Sequence, residues 1–238
     1  MSRIPKIGEL LLNNPPYIVG IVDRIYPLED LFLQVSTIAD LIEFRADLIE
    51  GPFSNTIDYL KRIRQQSNIP IIGTLRPNST NFSDRLDQFD LLLPFVDAVD
   101  IEFDLPSCHD LMQKVTRCHL PIVLSIHGFD ATPDVPTLAH TITSMMALHP
   151  AILKLAFYAH TVEDESHLLE TLRRECSIPW VGIAMGENGL RSRIEGHRWG
   201  SLWTYGFLSH SVAPGQFSIA SLKTEIQRTQ KDLNASNN

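Results

Sequence analysis

The stretch NIPIIGTLR (68–76) passes from a proline through a short apolar run to a charged residue, and it returns as SIPWVG at 177–182. Proline is tolerated at the start of a strand, where no ladder donor is needed. A continuous apolar run after it suits a strand buried on both faces. Runs of the same kind recur as YIVGIVD from 17, LIEFRAD from 41, AVDIEFD from 98, PIVLSIH from 121, AILKLAF from 151, WVGIAMG from 180 and SLWTYGF from 201, their starts 21 to 30 residues apart. Between them lie segments with apolar residues at helical spacing, among them NTIDYLKRIRQQ (55–66), VPTLAHTITSMMALH (135–149) and VEDESHLLETLRREC (162–176). Alternating strand and helix predicts an α/β fold with a parallel sheet, and eight such units closing on themselves predict a (β/α)8 TIM barrel. One domain is expected over 1–238, with 1–15 as an N-terminal extension and 232–238 as a disordered tail. The competing architecture, an open doubly wound sheet, would place GxGxxG after the first strand. VDRIYPLED (22–30) stands there instead.

Composition narrows the function. The chain has 238 residues, 44% of them hydrophobic, enough to fill a core without disulfides or metals. Three widely spaced cysteines, Cys108, Cys118 and Cys176, with no CxxC pair, suit reduced thiols in the cytoplasm. The opening MSRIPKIGELLLNNPP is too weakly apolar for a secretion signal, and no run approaches a membrane span. A formal charge of −8 without a Lys/Arg-rich segment argues against nucleic acid and anionic membrane as partners. CHDLMQKVTRCH (108–119) pairs Cys with His twice, but ten residues of helix separate the pairs by about 15 Å, too far for one zinc ion. The other histidines, 140, 149, 160, 167, 197 and 210, are expected on solvated helices and loops.

In a barrel, chemistry sits at the C-terminal ends of the strands. Those ends carry Glu43, Arg45 and Asp47, then Arg76, then Asp100, Glu102 and Asp104, then Ser125 and His127. The AILKLAF run carries Lys154. Side chains alternate along a strand, so Glu43 shares a face with Arg45, and Asp100 with Glu102. Ionisable residues facing inward on adjacent strands make a poor core and a good polar pocket. His127 and Lys154 fall on neighbouring strands, about 4.8 Å apart, within reach of a common point. A lysine in apolar surroundings is a nucleophile for carbonyl carbon, and a histidine beside it can move the proton that an iminium acidifies. The plainer reading has Lys154 bury its stem and send its head to the rim or to Glu102. The enzyme alternative is a class I aldolase-type imine lyase; outside enzymes, a non-catalytic ligand-binding barrel.

IEFRAD, GTLR, VDIEFD, SIHGFDATP, LKLAF, MGENGLRSR and GSLWTYGFLSHSVAPGQ follow one another over nearly the whole chain. In this combination the sequence resembles type I 3-dehydroquinate dehydratase, the imine-forming lyase of the shikimate pathway. The resemblance implies that Lys154 forms the imine with 3-dehydroquinate and that His127 is general acid and base. It also implies that Glu43, Arg45 and Arg76 bind substrate, that Arg193 and Gln216 hold its carboxylate and close a lid, and that Asp100, Glu102 and Met185 stand behind them. Neither metal nor nucleotide is implied, and a cytoplasmic homodimer is. Two positions depart from the family pattern. RPNSTNFSD (76–84) has Thr80 where the family places a Glu against its histidine, leaving Asp84 or Glu102 as substitutes. Val212 stands where a serine precedes APGQ, so the hydrogen bond to the carboxylate falls to Ser211 or is lost.

Overall fold

The computed structural model describes residues 4–77 and 84–236, and the side chains as far as 231. Eight parallel strands form the wall: β3 (Tyr17–Val22), β4 (Leu41–Arg45), β5 (Ile71–Thr74), β6 (Ala98–Glu102), β7 (Ile122–Gly128), β8 (Ile152–Tyr158), β9 (Trp180–Met185) and β10 (Trp203–Phe207). Each coincides with one of the apolar runs. Helices follow them in turn: α1 (Leu28–Val35), α2 (Phe53–Gln66), α3 (Arg85–Leu92), α4 (Cys108–Arg117), α5 (Val135–Met146), α6 (Val162–Glu175), α7 (Leu190–Glu195) and α8 (Ile219–Ser236). The fold is the α/β TIM barrel. The helix α8 continues through residues 232–236, where the sequence suggested a tail; KDLNAS contains no proline or glycine to stop it.

Three of the prolines that introduce strands, Pro70, Pro121 and Pro179, sit one residue outside them and supply acceptors. Pro70 O takes the Ile42 N–H at 2.9 Å, Pro121 O the Val99 N–H at 3.1 Å, and Pro179 O the Leu153 N–H at 3.0 Å. A residue with no donor thus still extends the ladder by its carbonyl.

Residues 4–15 are more than an extension. Their hairpin, β1 (Lys6–Ile7) with β2 (Leu10–Leu11), puts Ile7 at zero exposure into the cluster inside the barrel, with Tyr17, Leu41, Ile72, Ala98, Val123, Ile152, Val181 and Trp203. The Tyr17 hydroxyl ties the hairpin down by donating to Leu11 O and accepting from the Asn13 and Asn14 amides. Because side chains alternate, the residues two positions further along the same strands, Glu43, Thr74, Asp100, Ser125, Lys154 and Tyr205, form the next layer up. An apolar floor therefore lies directly under a charged one.

The wall is not evenly hydrogen-bonded. The strands run in the order β10-β3-β4-β5-β6-β7-β8-β9, with the short β11 (Phe217–Ser218) outside β10. Between β9 and β10 there is one backbone bridge at the bottom, Trp180 to Ser201, with the Leu202 amide donating to Trp180 O. Above it, serine side chains take over. The Gly182 amide donates to Ser201 Oγ at 3.2 Å, and the Ala184 amide to Ser192 Oγ at 2.9 Å. The helix α7, which contains Ser192, packs on both strands here.

Candidate active site

Lys154 is 5% exposed, but its surroundings are not apolar as its own strand suggested. Its ammonium lies 2.9 Å from Asp100 Oδ2 and 3.3 Å from Glu43 Oε2, and 4.4 Å above the centre of the Tyr205 ring. The pairing with Glu102 weighed from sequence does not form; Glu102 faces His127 instead. Each carboxylate is held in turn. Glu43 accepts from Thr74 Oγ1 at 2.9 Å. Asp100 accepts from Ser125 Oγ at 2.6 Å and pairs with Arg76 at 2.8 Å. Burial works against both anions, yet Lys154 holds the Glu43 carboxyl below its ordinary value, and Arg76 with Lys154 holds Asp100 far below. Two carboxylates and one ammonium in a closed layer leave a net negative charge. Arg76, which also reaches Glu102 at 3.4 Å, offsets it.

His127 stands one inward position above Ser125 on β7, in register with Ala156 of β8. Its Nδ1 is 3.0 Å from Glu102 Oε1. Burial lowers the imidazole's tendency to protonate, and the Glu102 hydrogen bond works in the opposite direction. Glu102 is itself held in its ionised, acceptor-only form chiefly by His127 and Arg76, against burial. Nδ1 therefore carries the proton of the neutral ring, and Nε2 is the free base.

A cavity of about 90 Å³ opens above this layer, bordered by His127, Lys154, Glu43, Arg45, Arg193 and Gln216, with Met185 in its apolar wall. Arg45 is held by Asp47 through two hydrogen bonds, at 2.7 and 3.1 Å. Arg193 comes from α7, 2% exposed, and donates one bond to Pro214 O at 3.0 Å. Among the described residues its Nε has no partner and its guanidinium no counterion, and burial lowers its pKa to about 10. Such a buried cation is the group in this pocket most in need of an anion. Gln216 Oε1 accepts the Val212 amide at 3.0 Å, folding the 208–216 loop onto itself over the cavity.

Two of the expected substrate ligands lie elsewhere. Arg76 does not border the cavity; its guanidinium is taken up by Asp100, Glu102 and Ser125 below it. Ser211 is exposed and donates to Ala213 O at 2.7 Å, while Val212 and Ala213 form the wall. Thr80 lies outside the described residues; Glu102 is the carboxylate found against His127, and Asp84 is exposed. The Cys108-His109 and Cys118-His119 pairs stand at opposite ends of α4. His197 is half-buried, and its Nδ1 has no partner, unlike the solvated residue expected. The sequence reading missed Tyr205, Thr74 and Phe129. Tyr205 and Trp203 are one strand period apart, a signal that could have placed both inside the barrel.

The family model for type I 3-dehydroquinase matches residues 26–232. The chain belongs to the type I 3-dehydroquinase family. Relatives named 3-dehydroquinate dehydratase include that of Methanothrix thermoacetophila, 31% identical over 79% of this chain and 81% of the relative. That of Methanococcoides burtonii is 28% identical over 93% and 98%. Among solved structures, the 3-dehydroquinate dehydratase of Geobacillus kaustophilus superposes with a TM-score of 0.78 at 25% identity, covering 96% of this chain and 97% of the other. The type I enzyme of Clostridium difficile reaches 0.82 at 20% identity over 97% and 99%, a likeness of fold. Membership of the type I 3-dehydroquinase family and the full-length fold match agree with the motif order read from the sequence.

Proposed function

We propose that this chain dehydrates 3-dehydroquinate to 3-dehydroshikimate through an imine on Lys154. The observation that supports this most is that Lys154 and His127 open onto one cavity, which Arg45, Arg193 and Gln216 also border. Lys154 Nζ, as the free amine, adds to the ketone carbon. Its proton passes to Glu43 or Asp100, both within hydrogen-bonding distance. The same carboxylate returns that proton to the carbinolamine hydroxyl, which leaves as water and gives the iminium; the positive charge stays where the two carboxylates already compensate it, so it needs no new environment. The iminium acidifies the adjacent C–H, and His127 Nε2 takes that proton, with Glu102 stabilising the imidazolium through Nδ1. The enamine expels the hydroxyl group, which leaves as water with the proton from His127. Hydrolysis of the conjugated iminium frees Lys154 and the enone.

The substrate carboxylate goes to Arg193, whose planar fork suits it. In this reading the chain works in the cytoplasm as a homodimer on a small molecule, not on nucleic acid. Its three free thiols favour a reducing compartment, and light scattering tests the dimer. Among the described residues no helix is long and apolar enough to cross a membrane. Borohydride added with 3-dehydroquinate is expected to leave one reduced adduct, on the peptide containing Lys154, and the untreated reaction to show enone absorbance in the ultraviolet. An adduct on another lysine, or no absorbance, sinks the mechanism.

A further inference from the structure

The helix α7 carries Arg193 to the cavity, yet it cannot cap itself. Its N-cap residue is Gly189, and a Cβ there would lie 2.3 Å from the carbonyl oxygen of Ala184 in β9. No Ser, Thr, Asp or Asn fits at that point to accept an N–H of the first turn. The acceptor comes from another helix. Glu165 of α6, 2% exposed, accepts a hydrogen bond from the Ser192 amide at 2.5 Å. Ser192 is the third residue of α7, the position an N-cap side chain ordinarily serves. The Ser192 hydroxyl fixes the same residue from the other side, donating to Gly189 O at 2.7 Å and accepting from the Ala184 amide. Arg193 is the next residue along. Glu165 does not border the cavity and has no part in the steps above.

We infer that Glu165 is a positioning residue for substrate recognition: by capping α7 from α6 it fixes Ser192 and so sets the direction from which Arg193 enters the cavity. This rests on the reading that Arg193 grips the substrate carboxylate. A carboxylate buried behind the wall, with one backbone amide to hold, is costly unless that amide must be held.

The test is steady-state kinetics with 3-dehydroquinate. Glu165→Ala is expected to raise KM about tenfold, the scale on which small displacements of a positioning group act, with kcat little changed. Glu165→Gln, whose amide oxygen still accepts the Ser192 N–H, is expected to restore KM. In an Arg193→Ala background, Glu165→Ala should add nothing, because the side chain it positions is gone. A folded Glu165→Ala protein with unchanged KM, or a rise that persists in full in the Arg193→Ala background, overturns the inference. Should Glu165→Ala not fold, Glu165→Asp, one methylene short of the amide, carries the same expectations. A KM raised by Arg193→Ala but not by the Glu165 variants overturns the inference alone; a KM unaltered by Arg193→Ala overturns the reading of Arg193 as well.

Discussion

Glu102 Oε1 lies 3.0 Å from His127 Nδ1 across the β6–β7 pair, so the imidazole faces the cavity with its other nitrogen free to take a proton. Burial pulls the His127 pKa below the ordinary imidazole value and Glu102 pulls it back. Glu102→Gln removes the carboxylate that favours imidazolium, so the His127 pKa falls further. The acid limb of kcat/KM, where His127 must be neutral to act as base, is expected to move to lower pH. Turnover is expected to fall by about tenfold or more. Profiles of rate against pH for both proteins check this, and an acid limb that stays in place assigns it to another group.

Lys154→Ala, expected to lose turnover and adduct, is also expected to carry a stability signature. It leaves Glu43 and Asp100 without a shared cation, at a cost of roughly 3–5 kcal/mol for breaking a buried pair from one side. In the parent, both carboxylates have depressed pKa values, so their stabilisation is present above the unfolded-state values and is lost as pH falls through the folded ones. In the variant the main influence lowering Glu43 is gone, while burial and Asp100 push it up, so acidification relieves the strain. Thermal midpoints of the two proteins are therefore expected to differ most near neutrality, to approach one another as pH falls through the raised Glu43 pKa of the variant, and to meet only below the ordinary carboxylate range, where the parent's depressed carboxylates also protonate. A constant gap across pH refutes the account.

Tyr205 offers Lys154 its ring, while its buried hydroxyl stands against Trp203 and Glu43 without a well-aligned hydrogen bond to either. Tyr205→Phe keeps the ring under the ammonium and deletes an unsatisfied group, so it is expected to raise stability by about 1 kcal/mol with turnover retained. Tyr205→Leu loses the ring and is expected to be less stable than either. Thermal unfolding of the three proteins decides it; a less stable Phe variant means that the hydroxyl is bonded to Glu43 or Trp203 after all.

Val212→Ser puts a hydroxyl into the cavity wall at the place Ser211 turns away from. Tighter substrate binding by roughly 0.5–1.5 kcal/mol is expected, the net worth of an ordinary hydrogen bond. A KM that does not fall places the carboxylate out of reach of residue 212.

The eight strands were legible because each is a continuous apolar run, and a parallel strand covered on both faces needs such a run. The polar layer was legible by alternation: Glu43 with Arg45, Asp100 with Glu102, Ser125 with His127. Contacts across the barrel were not. Glu43 on β4 and Lys154 on β8 are 111 residues and several strands apart, and their pairing depends on closure, which no local pattern encodes. The hairpin that puts Ile7 inside the barrel has strands of two residues, too short for a periodicity. Ser211 and Val212 exchange roles through the geometry of one turn. The Glu165 cap joins two helices through a single backbone amide, and sequence shows only a glutamate on a polar helix.

Seven of the eight joints around the barrel are backbone ladders, and at those its girth cannot change without breaking rows of hydrogen bonds. The eighth, between β9 and β10, has a backbone bridge only at the foot; above it the β9 amides rest on the hydroxyls of Ser201 and of Ser192 from α7. On this side alone the mouth of the cylinder is closed by side chains and not by a backbone ladder, like a cuff with one opening. Arg193 stands at that opening, so an anion gripped there ties the loose edge, and ligand should slow amide exchange at Gly182 and Ala184 more than at the same height on β7 and β8.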